Sequence, residues 1–307
     1  MNYLEILSSL TVIAFSSTGL LLYLYQTSLI YPANLPANSR EFVDTPDLYD
    51  IPYKNVTLLS DGYKINCYLL HQADKAVKTP TVLFFHANAG NMVGARLLAR
   101  INLLIHSKGH RLPLAEVFYK RFNYNVFMVS YRGYGKSEGK PSESGLRMDA
   151  EVALRYLKKE ELTRDNEIIL YGQSIGGAVC IDLASNHPDD ISALILENTF
   201  RSIPSLIPTL LPLLRPFTFL CTEIWNSEQS IKKIKTHILF LSGTQDEIVP
   251  VSHMRKLHNI HQSSVKDGII SSFKSFPNGT HNDTCLDRKY WNTVEDFLLE
   301  INQHNVK

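Results

Sequence analysis

The stretch best equipped for chemistry is Gly172-Gln173-Ser174-Ile175-Gly176-Gly177. It follows the apolar run Ile168 to Tyr171 and precedes a second apolar run, so it reads as strand, sharp turn and helix. Such a turn strains its central residue and brings flanking chains close together, which glycines at Gly172 and Gly176 permit. Ser174 would then stand out at the carboxyl edge of a sheet. A serine hydroxyl is a poor nucleophile near neutral pH, so a base must take its proton and a third group must fix the base's tautomer. Two later loops offer these partners. The loop Ser242 to Pro250 carries Asp246, the expected acid, with Glu247 as its rival; adjacent residues point apart, so only one of the two faces the site. The loop Asn278 to Asp283 carries His281, the expected base. His258 and His261 fall on a predicted helix after Asp246, and His304 lies in the tail. The chemistry this predicts is acyl transfer through a covalent serine intermediate.

A tetrahedral intermediate also needs backbone N–H donors aimed at its developing charge. Ile175, next to the nucleophile, would supply one. The loop His86-Ala87-Asn88-Ala89-Gly90-Asn91 would supply the other through Asn88, with His86 bracing the loop. No metal and no cofactor is expected. Cys67, Cys180, Cys221 and Cys285 are scattered without zinc spacing, and Cys285, four residues after His281, reads as a bystander. Tyr131-Arg132-Gly133-Tyr134-Gly135-Lys136-Ser137 looks like a phosphate loop, but Ser130 holds the position of the required first glycine.

These residues need a scaffold. Apolar runs at Thr81 to Phe85, Asn125 to Val129, Glu167 to Tyr171, Ala193 to Leu196, Ile238 to Leu241 and Phe273 to Phe276 alternate with helical patterns. Leu146, Ala150, Ala153, Leu154 and Leu157 recur at helical spacing, and Ser174 to Ser185 is apolar on nearly every side. The reading is an α/β fold with a doubly wound, mostly parallel sheet covered on both faces, opened by a hairpin turning at Asp61-Gly62. Residues 53–305 would form this domain. Net charge is +1, from 31 basic and 30 acidic residues, which gives a polyanion nothing to bind and excludes nucleic acid as the main ligand.

Two appendages are expected. From Ile6 to Ala33 no residue is charged, long enough for one transmembrane helix within residues 1–30, with Tyr3, Tyr23, Tyr25 and Tyr31 near its ends. It lacks the basic start of a cleavable signal. A proline-bearing linker, residues 31–52, would come next. A small lid is expected near residues 200–227, rich in Leu and Phe, with prolines at 204, 208, 212 and 216 that forbid one long regular helix. An apolar lid suits an acyl chain or the surface of a bilayer. Sequons at Asn55, Asn278 and Asn282 are read as chance, because a glycan at either of the last two would crowd His281.

With these residues in place the chain resembles the α/β-hydrolase superfamily over residues 50–305. Within it the chain resembles the α/β-hydrolase domain-containing protein 13 type, the bud-emergence-related membrane serine hydrolases. The phrases HANAGN (86–91), GHRLP (109–113), SYRGYGKSEG (130–139), YGQSIGG (171–177), LENTF (196–200), FLSGTQDEIVP (240–250) and THNDTC (280–285) carry the resemblance. It implies a single-pass membrane protein, with an endomembrane such as the endoplasmic reticulum expected, and a Ser-Asp-His triad formed by Ser174, Asp246 and His281. It also implies acyl ester or thioester substrates on a lipid or a lipidated protein, including palmitoyl-protein hydrolysis. A lipase or peptidase would use the same residues, and a non-catalytic membrane scaffold would need none of them. One departure stands out: Val93 to Lys108 separates two phrases that in the family nearly adjoin. It is either a longer helix over the site or an unremoved intron, and transcript reads skipping these codons would establish the latter.

Overall fold

The computed structural model describes residues 2–34, 40, 43–72, 78–88 and 112–305. Its eight-stranded sheet comprises β1 (Tyr53–Ser60), β2 (Tyr63–Leu70), β3 (Thr81–Phe85), β4 (Asn125–Val129), β5 (Ile168–Gln173), β6 (Ala193–Glu197), β7 (His237–Gly243) and β8 (Ser271–Phe276). The spatial order is β1-β2-β4-β3-β5-β6-β7-β8. β1 and β2 form the expected antiparallel hairpin, and β2 runs antiparallel to β4; the other pairs are parallel. Asp61 and Gly62 both take positive φ, 50° and 81°, the geometry of a tight turn whose twist matches its strands. The departure comprising residues 93–108 lies outside the described residues.

The helices are α1 (Tyr3–Ile30), α2 (Leu112–Glu116), α3 (Glu143–Leu157), α4 (Ile175–Asn186), α5 (Ile203–Leu210), α6 (Ser227–Ser230), α7 (Val251–Ser264) and α8 (Tyr290–Asn305). Successive side chains on a strand point to opposite faces, so each central strand feeds two cores. Leu83, Phe85, Leu170, Leu194 and Phe240 join residues of α3, α4 and α7 in one cluster. Val82, Phe84, Ile169, Ile195 and Leu241 join residues of α2 and α8 in the other. Each such aliphatic or aromatic side chain, once buried, contributes about 1.5–3 kcal/mol. This explains why the strands read as unbroken apolar runs. The loop after β4 is pinned by a buried ion pair: Arg132 Nη2 reaches Asp149 Oδ1 of α3 at 2.8 Å, and the same carboxylate accepts the Arg132 backbone N–H at 2.8 Å.

α1 is 28 residues long and almost wholly exposed along its length. It is long and apolar enough to cross a membrane. Asn2 caps it reciprocally with Glu5. Just beyond its C-terminus the chain packs away from solvent at Tyr31 and Ala33. Tyr31 is 2% exposed, its hydroxyl donating to Glu223 Oε2 at 2.6 Å and accepting from Trp225 Nε1 at 2.7 Å. Burial foremost, with Glu223 beside it, pushes this phenol's pKa far up, so it stays a neutral donor. In the region of residues 200–227, α5 ends at Leu210, shortly after Pro208, and the chain continues as 3-10 turns over Pro212–Leu220. The proline spacing produces this break.

Candidate active site

Ser174 sits between β5 and α4 with φ 56° and ψ −120°, a conformation costly to a residue bearing a Cβ. Its surroundings hold it there. The Ser174 N–H donates to Glu197 O at 2.9 Å, and Thr199 Oγ1 donates to Ser174 O at 2.7 Å. A Cβ on Gly172 would collide with the Gly176 carbonyl, and one on Gly176 with the carbonyl of Phe85, so both glycines are required by close approach.

The three residues expected to work together meet at the carboxyl ends of β5, β7 and β8. His281 Nε2 lies 3.0 Å from Ser174 Oγ, and His281 Nδ1 lies 2.8 Å from Asp246 Oδ2. The His281 and Asp246 side chains are 6% and 0% exposed, so this chain of hydrogen bonds is screened little by water. The other oxygen of Asp246 accepts the N–H groups of Ile248 at 2.8 Å and Val249 at 2.7 Å, which fixes the carboxylate. Glu247 points differently: its Oε2 accepts the His281 backbone N–H at 3.2 Å. The two adjacent acids therefore divide the work, Asp246 meeting the imidazole and Glu247 its main chain.

Asn88 is at the end of β3, as expected of the loop that would face the nucleophile. Its side chain donates through Nδ2 to Ile30 O, the last carbonyl of α1, at 2.7 Å and accepts from Tyr134 Oη at 2.7 Å. Ile175 opens α4, whose first N–H groups have no partner within the helix. His86 is buried against Tyr131 and Tyr134, with ring centroids 4.3 and 5.2 Å away, and its carbonyl accepts Tyr131 Oη at 3.0 Å. Cys285 is buried within the core on the α8 side. Among the described residues no cluster of ligating side chains could hold a metal ion.

One residue of the motif LENTF has a role that its type and position do not announce. Asn198, at φ 48°, donates from Nδ2 to the carbonyls of Thr280 and His281, both at 3.1 Å, and to Thr284 Oγ1 at 3.0 Å. Its Oδ1 accepts the Gly243 N–H at 2.9 Å. It thus ties the histidine loop to the end of β7, from which the Asp246 loop departs. Behind it Glu197 is fully buried, accepting the hydroxyls of Tyr171 and Tyr290, each at 2.6 Å, and Gln173 Nε2 at 3.2 Å. Burial first, then the Glu197 charge, holds both phenols well above their usual pKa.

The strand order and the serine elbow at its centre define an α/β hydrolase. Residues 80–219 match the family described as the alpha/beta hydrolase fold. Protein bem46 of Schizosaccharomyces pombe is 47% identical over 91% of this chain and 87% of its own length. An uncharacterized membrane protein of Saccharomyces cerevisiae is 41% identical over 91% of this chain and 90% of its own. Among solved structures, a Pyrococcus furiosus esterase superposes with a TM-score of 0.64 at 17% identity, covering 83% of this chain and 93% of that one. The chain belongs to the bem46-like family of α/β-hydrolase domain-containing proteins, the protein 13 type.

Proposed function

We propose that this chain is a membrane-anchored serine hydrolase that cleaves acyl esters or thioesters through an acyl-enzyme on Ser174. The observation that carries this is the unbroken run Asp246 Oδ2, His281, Ser174 Oγ at 2.8 and 3.0 Å. In the proposed reaction His281 Nε2 takes the Ser174 proton as Oγ attacks the acyl carbon, and Asp246 holds the imidazole in the required tautomer and stabilises its charged form. The N–H groups of Ile175 and Asn88 receive the oxyanion. His281 then gives its proton to the leaving alcohol or thiol, and water, activated by the same base, releases the acid. The exposed apolar helix α1 and a relative named as a membrane protein support the anchoring, and the apolar segment of residues 203–220 supports an acyl substrate on a lipid or a lipidated protein.

The test is labelling of detergent-solubilised full-length protein with a fluorophosphonate, alongside turnover of acyl esters and thioesters. Labelling should vanish in Ser174→Ala, and turnover should fall about 10⁴-fold or more in Ser174→Ala and His281→Ala and by a similar order in Asp246→Asn. A native chain that neither labels nor turns over any acyl substrate would sink the proposal in favour of a scaffold.

A further inference from the structure

α1 does not merely tether the domain. From Phe15 onward it lies against the 3-10 turns Pro212–Leu220: Phe15 stacks on Phe217 with centroids 4.3 Å apart, and a Cβ on Gly19 would meet Leu220 at 3.3 Å and Phe217 at 3.4 Å. Gln26 accepts the Thr222 N–H at 2.7 Å and donates to Leu220 O at 3.3 Å. Yet the two elements do not close completely. A cavity of about 100 Å³ lies between Leu22, Leu29 and Ile30 of α1 on one side and Ile207, Leu214 and Phe217 on the other. A second, shallower groove of about 430 Å³ is lined by Phe15, Gly19 and Tyr23 of α1 and by Phe219, and shares Phe217 and Leu220 with the cavity as a common wall.

The seam has two different ends. At Ile30 it comes up to the loop that carries Asn88: Ile30 O accepts the Asn88 amide at 2.7 Å, and Ile30 packs against the core. At Phe15 it opens on the part of α1 that is long and apolar enough to lie in a bilayer. Fifteen residues of helix separate Ile30 from Phe15, about 22 Å at 1.5 Å per residue. One leaflet of hydrocarbon, half of a core about 30 Å thick, is about 15 Å deep and is filled by single acyl chains. At about 22 Å the seam is longer than one leaflet is deep, so its length and largely apolar lining have room for one long chain and exceed what a short acyl group could fill.

We infer that α1 forms one wall of the acyl site, so that a long acyl chain lies between the anchor helix and the segment 203–221, with its carbonyl at Ser174 and its tail leading into the bilayer. This rests on the hydrolase reading for the carbonyl end only; the tail's position is a matter of binding. The occupant's chemistry is a long saturated or unsaturated acyl chain, borne by a lipid or by a protein thiol.

The experiment uses full-length Ser174→Ala protein in vesicles containing either a lysophospholipid ester or an S-acyl peptide, each with a hexadecanoyl chain bearing a diazirine. Crosslinks are expected in peptides of α1 from Phe15 to Ile30 and in residues 203–221, with the arm that labels more efficiently identifying the bearer. In otherwise native protein, Leu22→Trp and, independently, Leu214→Trp should lower the ratio of hexadecanoyl to acetyl kcat/KM at least 10-fold. Leu21→Trp, on the exposed face of α1, should leave that ratio unchanged. Crosslinks that fall outside the seam, or an unchanged ratio in both seam variants, would overturn the inference. Seam crosslinks in a chain whose native form is never labelled by a fluorophosphonate would instead retain the acyl site and remove the hydrolase reading.

Discussion

In the proposed reaction Asn198 takes no part in proton transfer, yet it holds the loop that carries the proposed base. Its side chain ties together the histidine loop and the β7 end at four points, and its backbone occupies a left-handed conformation that Asn tolerates. Asn198→Gly keeps the backbone freedom and deletes the ties. It should lower kcat about 10- to 100-fold with little change in KM, a loss of about 1.4–2.8 kcal/mol in the transition state, read by steady-state kinetics. A second residue-scale prediction concerns His261, on the buried face of α7, where desolvation holds its pKa down at about 4. Above about pH 6.5 it is neutral in both folded and unfolded chains and affects stability little. As pH falls from 6.5 toward 4 the unfolded chain binds a proton that the folded chain refuses, so stability is lost across that window, by about 3 kcal/mol at the limit. Thermal unfolding between pH 7 and 4 should fall less steeply in His261→Gln than in the native protein. That Ser174, Asp246 and His281 lie within hydrogen-bond reach of one another was expected from the sequence, because each sits in a short loop just after a run read as a strand. Asn198 was not, because its side-chain partners lie 45 to 86 residues away along the chain.

Among the elements, the strands were the easiest to read, since burial on two faces leaves no polar interruption in β3 to β7 except near their ends. β8, at the sheet edge and only partly buried, begins two residues before its apolar pattern does. Among the described glycines, Gly176 in the elbow joining β5 to α4 makes the closest approach. Gly176→Ala would drive a methyl group into the carbonyls of Phe85 and His86. Separating β3 from α4 to make room should cost several kcal/mol and disturb the loop bearing Asn88; the expected outcome is a lower melting temperature together with weak fluorophosphonate labelling. The contacts of α1 with residues 203–225 were illegible for the same reason as Asn198: a pairing across roughly 200 residues leaves no periodic mark on either partner.

For the molecule as a whole, the sequence reading was a hydrolase domain, a linker over residues 31–52 and an anchor; near the anchor's end Tyr31 bonds to Glu223, Gln26 to Thr222 and Ile30 to Asn88. α1 has 28 residues, about 42 Å of helix, and about 20 residues suffice to cross a bilayer. Counting 20 residues from Tyr3 reaches Leu22, so Phe15 and Gly19, with the Phe217 and Leu220 that touch them, lie at hydrocarbon depth when α1 spans the bilayer. Phe219, 77% exposed and beside Phe15 and Gly19, then faces lipid rather than water. As the membrane-anchored hydrolase proposed above, the chain would meet its substrate by diffusion in two dimensions. Its rate should follow the substrate's mole fraction in the membrane, falling when inert phospholipid is added at constant bulk substrate and holding steady when the whole vesicle suspension is diluted with buffer.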